Sequence, residues 1–198
     1  MTIEFTTANK ESPVVEFDFP VDNLQYLFDE SQTWSSTKEF NGLGYKGLNK
    51  RLIHKSNEIS SLAFDNFSQE LENSKLSLVK KFLEIDTQNR WPNISESIFK
   101  SMNIYLSLIT DLPGYTMAEH LDNRSVYAAG YLNIFDNESL TVINSTKKSI
   151  FGKSGYRAPG KKGCGVIWLN TENSWHWVNK VSRDRKILMM SFQIVPWD

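Results

Sequence analysis

Hydrophobic positions along the chain change their period near residue 100. From Glu58 to Ile85 they recur at helical spacing. Leu62, Ala63, Phe64, Phe67, Leu71, Leu76, Leu78, Val79, Phe82 and Leu83 mark apolar faces, with acids and lysines between them. This predicts one long helix, or two that break near Asn73–Ser74. Trp91–Pro92 closes the region, because the residue before a proline is pushed out of the helical conformation, and Ser95 opens a further short turn. Upstream, Val14–Phe19 alternates as a short strand ended by Pro20, and residues 21–34 place Leu24, Leu27 and Phe28 on one helical face. The first dozen residues are polar and read as loose chain. Residues 35–56, punctuated by Gly42, Gly44 and Gly47, read as loop.

Beyond residue 100 the pattern becomes that of strands. Met102–Thr110, Tyr115–His120, Val126–Phe135, Leu140–Asn144, Gly165–Leu169, Trp175–Val178 and Ile187–Val195 are apolar or alternating runs separated by turn residues, of which Asp111-Leu-Pro-Gly114 is the clearest. The expected class is α+β: a mainly helical support region over 1–100 bracing an antiparallel sheet region over 101–198, in a single domain over 1–198. No internal repeat, linker or glycine-rich phosphate loop interrupts it.

Composition narrows the classes. A chain of 198 residues buries enough surface to fold without staples. Its single cysteine, Cys164, allows neither an internal disulfide nor a multi-cysteine metal site, and reads as a small packed side chain. A net charge of −1 makes broad nucleic-acid binding an unfavoured reading. No run of about 18 apolar residues predicts a membrane span. The opening MTIEFTTANKESP has no basic segment followed by an apolar one, which reads as a cytoplasmic chain.

Chemistry is concentrated at two of the three histidines. In Glu119-His120-Leu-Asp122-Asn123, residues i and i+2 at a strand end share a side, so an imidazole and a carboxylate can meet one metal. His176, in Ser174-Trp-His-Trp-Val178, is the plausible third ligand besides His54. Two imidazoles and one carboxylate on one face suit non-haem Fe(II), with open positions for a bidentate co-substrate and O₂; zinc with a water could use the same three groups. Arg185 follows His176 by nine residues after a polar turn. A hairpin would return it beside the His176 strand, where its planar fork can pair with a carboxylate. Tyr131 can donate its hydroxyl to that carboxylate. Arg183 competes for the anchoring role, and Lys186 does so more weakly.

Taken in order, these pieces resemble the double-stranded β-helix core of the Fe(II)/2-oxoglutarate-dependent oxygenases, in the prolyl-hydroxylase-like branch. The resemblance covers about half the chain. It rests on Gly114-Tyr115, His120-Leu-Asp122-Asn123, Tyr131-Leu-Asn133, Pro159-Gly-Lys-Lys-Gly-Cys-Gly165 with Val166-Ile-Trp-Leu169, His176-Trp-Val178, and Arg185 with its strand. It implies a jelly-roll, cupin-like core and a hydroxylase that consumes 2-oxoglutarate and O₂ and releases succinate and CO₂. His120, Asp122 and His176 would hold Fe(II), Arg185 would anchor the distal carboxylate of 2-oxoglutarate, and Tyr131 would hydrogen-bond to it. Tyr115 would line the pocket, Asn133 would order co-substrate or substrate, and Gly165 would let a glycine-rich turn meet a strand. A carboxylate at Asp122 favours hydroxylation over halogenation. Two departures stand out. Phe135-Asp-Asn-Glu-Ser-Leu-Thr-Val142 replaces a Gly-Gly-Thr/Glu-like stretch, and Ile187 stands where the family places a Ser or Thr two residues after the anchor.

The substrate is open to two readings, a small molecule or a peptide side chain. Residues 144–163, with Lys147, Lys148, Lys153, Arg157, Lys161 and Lys162, read either as a lid drawing an acidic substrate or as a solvated loop. Residues 35–56, with Tyr45, Lys46, Arg51 and His54, could form another wall together with Trp34, and His54 itself reads as a surface or loop residue. Trp175 and Trp177 should face away from His176, and Trp168 reads as core or rim. Two alternatives remain: a jelly-roll ligand-binding module without turnover, and a non-redox divalent-metal enzyme using the same triad.

Overall fold

The computed structural model describes residues 3–28, 35–36, 51–55, 61–85, 96–138, 140–145, 155–172 and 174–193. Two antiparallel sheets face one another. The larger contains, in spatial order, β1 (Thr6–Asn9), β2 (Val14–Asp18), β10 (Cys164–Leu169), β7 (Val126–Asn133), β12 (Arg185–Gln193), β5 (Asn103–Asp111), β4 (Arg51–Lys55) and β3 (Ser35–Ser36). The smaller runs β6 (Met117–His120), β11 (Trp175–Val178), β8 (Thr141–Asn144), β9 (Tyr156–Arg157). This is the jelly-roll arrangement of a double-stranded β-helix.

Period-two alternation builds two cores from the central strands. In β7, Ala128 and Leu132 join the outer core while Ala129 and Tyr131 face the space between sheets. In β10, Ile167 and Leu169 point outward and Val166 and Trp168 inward. In β12, Leu188, Met190 and Phe192 oppose Ile187. Helix α1 (Leu62–Ile85) covers the outer core with Phe64, Phe67, Leu71, Leu78, Val79 and Phe82. It is one unbroken helix. Ser61 caps it by accepting the Phe64 N–H at 3.5 Å. At the position where a break was one of the two expectations, Ser74 accepts the Ile3 N–H at 3.2 Å and Lys75 donates to the Met102 carbonyl at 2.8 Å. Helix α2 (Glu96–Ser101) leads into β5.

The strands expected after residue 100 are present, as is the strand near residue 14. Two expectations for the first half change. The polar N-terminal residues form β1, an edge strand paired to β2. Part of the 35–56 stretch is not loop: β4 pairs with β5 over five positions. Backbone hydrogen bonding to an exposed sheet edge outweighs the weak local propensity of Arg-Leu-Ile-His-Lys. Trp34, Tyr45 and Lys46, the His54 side chain and Lys147, Lys148 and Lys153 lie outside what is described. No helix among the described residues is long and apolar enough to cross a membrane.

Candidate metal centre

Strand pairing brings the donors together. β11 lies beside β6 with His176 opposite His120, and Asp122 follows the end of β6. His120 Nδ1 lies 2.9 Å from the Ala118 carbonyl, and His176 Nδ1 lies 3.0 Å from the Ser174 carbonyl. A carbonyl can only accept, so each Nδ1 carries a proton, and in the neutral imidazole Nε2 keeps the lone pair that a metal would take. Asp122 Oδ1 lies 3.8 Å from His120 Nε2 and 3.5 Å from His176 Nε2. One ligand atom from each residue fits within 4.8 Å of the others. Such a donor set, with pre-oriented imidazoles, fits a divalent metal and is consistent with Fe(II).

The second Asp122 oxygen is engaged elsewhere. Trp168 Nε1–H donates to Oδ2 at 3.3 Å, and its ring lies 4.8 Å from that of His176. Burial alone would raise the Asp122 pKa, but His176, His120 and the Trp168 N–H outweigh it, so the carboxyl stays below its usual range. Burial pulls the His176 imidazole down; the Asp122 carboxylate overrides this and raises it. His120 is lowered, first by burial and then by His176.

Opposite the donors, in one narrow cavity of about 60 Å³, stands a charged wall. Arg185 is buried, with Nη1–H donating to Asp111 Oδ2 at 2.8 Å and Nη2–H to Thr141 Oγ1 at 2.8 Å. The Tyr131 ring faces its guanidinium at 4.7 Å. Arg185 does not lie beside the His176 strand as a simple hairpin would place it. The 179–184 connection crosses between sheets, so β12 pairs with β5 and β7 and Arg185 approaches from across the inter-sheet space. Arg183 is exposed in that connection, and the Lys186 ammonium sits over Phe135 and Phe28 at 5.1 and 5.9 Å.

Tyr115 is buried against Leu140, Val178 and Val181, beneath the Arg51 guanidinium. Asn133 stands outside the cavity lining. Its amide donates to the Pro159 and Cys164 carbonyls at 3.0 and 2.8 Å, which ties the glycine-bearing turn to β7. The turn ends at Gly165, where an added Cβ would lie 2.2 Å from the Phe17 ring. Cys164 donates to Asp18; burial first, then that bond, pushes its thiol up to about 11, so it is a poor nucleophile at neutral pH. Lys162 is paired with Asp22 at 2.6 Å.

Two participants escape the sequence reading: Asp111 reads as a turn residue and Thr141 as an ordinary strand position. Arg51, read as part of an added wall on a loop, lies in β4 and lines the cavity, donating from Nε and Nη2 to Asp111 Oδ1 and Oδ2 at 2.5 and 2.9 Å. Trp168, read as core or rim, lines the same cavity. Thr141 supplies from the smaller sheet a hydroxyl that Ile187 lacks.

The fold is a double-stranded β-helix, and its inter-sheet space holds a two-histidine, one-carboxylate donor set. Among solved structures the chain is similar to a Pseudomonas putida prolyl-4-hydroxylase, at 13% identity over 98% of this chain and 93% of that one, with a TM-score of 0.58. It is also similar to SnoN, a non-haem α-ketoglutarate-dependent epimerase from nogalamycin biosynthesis (9% identity, 94% and 79% covered, TM-score 0.55). A third is a Trichoplax adhaerens prolyl hydroxylase in complex with a hypoxia inducible factor oxygen degradation domain peptide fragment (10% identity, 87% and 76% covered, TM-score 0.53). At these identities the likeness is one of fold. No protein-family model matches the chain, and no curated protein sequence matches it.

Proposed function

We propose that this protein is a non-haem Fe(II)- and 2-oxoglutarate-dependent dioxygenase that hydroxylates a small molecule or a peptide side chain. The observation that carries the reading is the pairing, in one cavity, of a two-histidine, one-carboxylate donor set with a buried guanidinium on the facing wall. A non-redox metal enzyme needs the donors but has no use for that cation, and a ligand-binding jelly roll requires neither.

In this reading His120 and His176 would hold Fe(II) through Nε2 and Asp122 through a carboxylate oxygen. The bound metal would supply the coupling of 2-oxoglutarate decarboxylation to O₂ reduction, with one oxygen atom going to succinate and the other into a substrate C–H bond. Arg185 receives the distal carboxylate of 2-oxoglutarate, and the Tyr131 face fixes the guanidinium. Met117, Val178, Ile187 and Met189 line the cavity with apolar groups that exclude water. A groove of about 420 Å³, lined by Leu121, Asp122, Arg124, Tyr127 and Thr171, opens beside the donors and gives a substrate room to approach Asp122. Peptide and small-molecule substrates both remain within the reading, since the similar folds include a prolyl hydroxylase with a peptide bound and an epimerase of a biosynthetic route.

Uncoupled turnover tests it. With Fe(II), 2-oxoglutarate and O₂, wild-type protein should release succinate slowly, and His176→Ala should release none. Folded, iron-loaded wild-type protein that neither binds 2-oxoglutarate nor forms succinate would leave the non-redox metal enzyme as the better reading.

A further inference from the structure

The groove beside Asp122 lies where the turn after β6 meets the turn after β10. Asn170 is the polar group that the fold fixes there. It is 9% exposed, and its amide nitrogen donates to the main-chain carbonyls of Asp122, Asn123 and Val126 at 3.3, 3.0 and 2.8 Å. Two hydrogens serve three acceptors, so one is shared. Carbonyl oxygens only accept, so the amide cannot be flipped and its own oxygen must turn away from them. That oxygen has no hydrogen-bond partner among the described residues, yet it is not sealed in the interior, and Asn170 lines the groove. An acceptor held in this way is pre-organised for a donor on a ligand.

Two opposite charges flank it. Arg124 belongs to the first turn and Glu172 to the second. Both line the groove and both are exposed, and neither has an ion-pair or hydrogen-bond partner among the described residues. Leu121, Val126 and Tyr127 supply apolar lining. A ligand with only a negative charge would meet Glu172 as well as Arg124, and one with only a positive charge would meet Arg124 as well as Glu172. A ligand that carries a carboxylate and an ammonium matches both, and the ammonium N–H groups suit the Asn170 oxygen. A residue inside a polypeptide has neither charge on its backbone. A free α-amino acid has both, and the groove has the volume for one.

We propose that this groove binds a free amino acid as the primary substrate, with its carboxylate on Arg124 and its ammonium on Asn170 Oδ1 and Glu172. Asp122 lines both the groove and the metal cavity, so the ligand adjoins the donor set. That the ligand is the substrate rests on the oxygenase reading above; that the groove binds it does not.

Calorimetric titration of the full chain, loaded with Mn(II) and with N-oxalylglycine in place of 2-oxoglutarate, tests this. The probes are the common L-amino acids, one at a time. Those that bind are titrated again as the α-amide, which lacks the carboxylate, and as the N-acetyl derivative, which lacks the ammonium. Each cap should weaken binding at least about tenfold. Arg124→Gln should weaken the amino acid about 3- to 10-fold and leave its amide within about twofold. Glu172→Gln should weaken the amino acid to a similar degree and spare the N-acetyl derivative. Both positions are exposed, so both variants should fold and keep their Mn(II) affinity. Failure of every amino acid to bind would overturn the proposal, as would equal losses for the amino acid and its amide in Arg124→Gln. Tighter binding of an N-acetyl amino acid amide, which mimics a residue within a polypeptide, would overturn it in favour of a peptide substrate. Protein that binds Mn(II) but not N-oxalylglycine would instead overturn the oxygenase reading, and the same titrations on Mn(II)-loaded protein would still decide what the groove binds.

Discussion

Replacing Asp111 by alanine should reverse the sign of a second mutation. Asp111 is fully buried, Arg185 is 3% exposed and the Arg51 side chain 12%. Removing the carboxylate takes from both guanidiniums the counter-charge they share. Breaking a buried ion pair by deleting one partner costs about 3–5 kcal/mol, so Asp111→Ala should fall in that range. In the wild-type background Arg51→Ala removes two charged hydrogen bonds and should cost about 1.5–3 kcal/mol. In the Asp111→Ala background the same change relieves repulsion and should be neutral or stabilising, a coupling of at least about 1.5–3 kcal/mol. Urea unfolding of the four proteins at pH 7, with a constant dependence on denaturant, measures it. A pH series checks the charge. Burial raises the Asp111 pKa, but Arg51 and Arg185 outweigh it and hold the folded value below the ordinary one. The carboxylate's contribution is therefore complete above the unfolded value near pH 4 and lost as pH falls through the lower, folded value. The gap between wild type and Asp111→Ala should narrow below about pH 4. Equal costs for Arg51→Ala in both backgrounds would refute the shared-carboxylate account.

Three further outcomes follow from the same geometry. Trp168→Phe removes the N–H on Asp122 Oδ2 and should lower metal affinity about 10- to 100-fold in a chelator competition titration; unchanged affinity would show that the 3.3 Å contact does not orient the carboxylate. Arg185→Ala should abolish 2-oxoglutarate binding while sparing metal binding, and unchanged co-substrate affinity would remove Arg185 from the anchoring role. Gly130→Ala would put a Cβ 2.3 Å from the Val166 carbonyl oxygen, a backbone atom fixed in the β10–β7 ladder. It should cost about 1–3 kcal/mol on denaturation, and a neutral result would mean that the two strands separate more easily than their pairing implies.

Much of the second half is legible because its strands are long apolar runs with turn residues between them, and burial on both faces leaves such runs little alternative. The His120-x-Asp122 pair is legible for the same local reason, since i and i+2 share a side. What local pattern does not carry is register. Nothing near His176 says that it pairs opposite His120, and nothing near Arg51 says that it joins a row with Asp111 and Arg185. Glycines at 42, 44 and 47 make the surroundings of Arg51 look like loop, and the pairing that makes it a strand comes from β5, more than fifty residues away. Asn133 shows the converse: it sits in a suggestive Tyr-Leu-Asn segment, yet its amide is engaged by two backbone carbonyls. Arg185 is legible as a cation near the donors, but not as a residue of the opposite sheet, because the polar turn before it gives no sign of crossing.

The donor set and the facing guanidiniums should act on one and the same 2-oxo acid. Anaerobic titration of metal-free protein with Fe(II), then 2-oxoglutarate, tests this in the visible spectrum. A weak metal-to-ligand charge-transfer band should need both additions and be absent in His176→Ala. A folded protein that binds Fe(II) yet develops no band at saturating 2-oxoglutarate would contradict it.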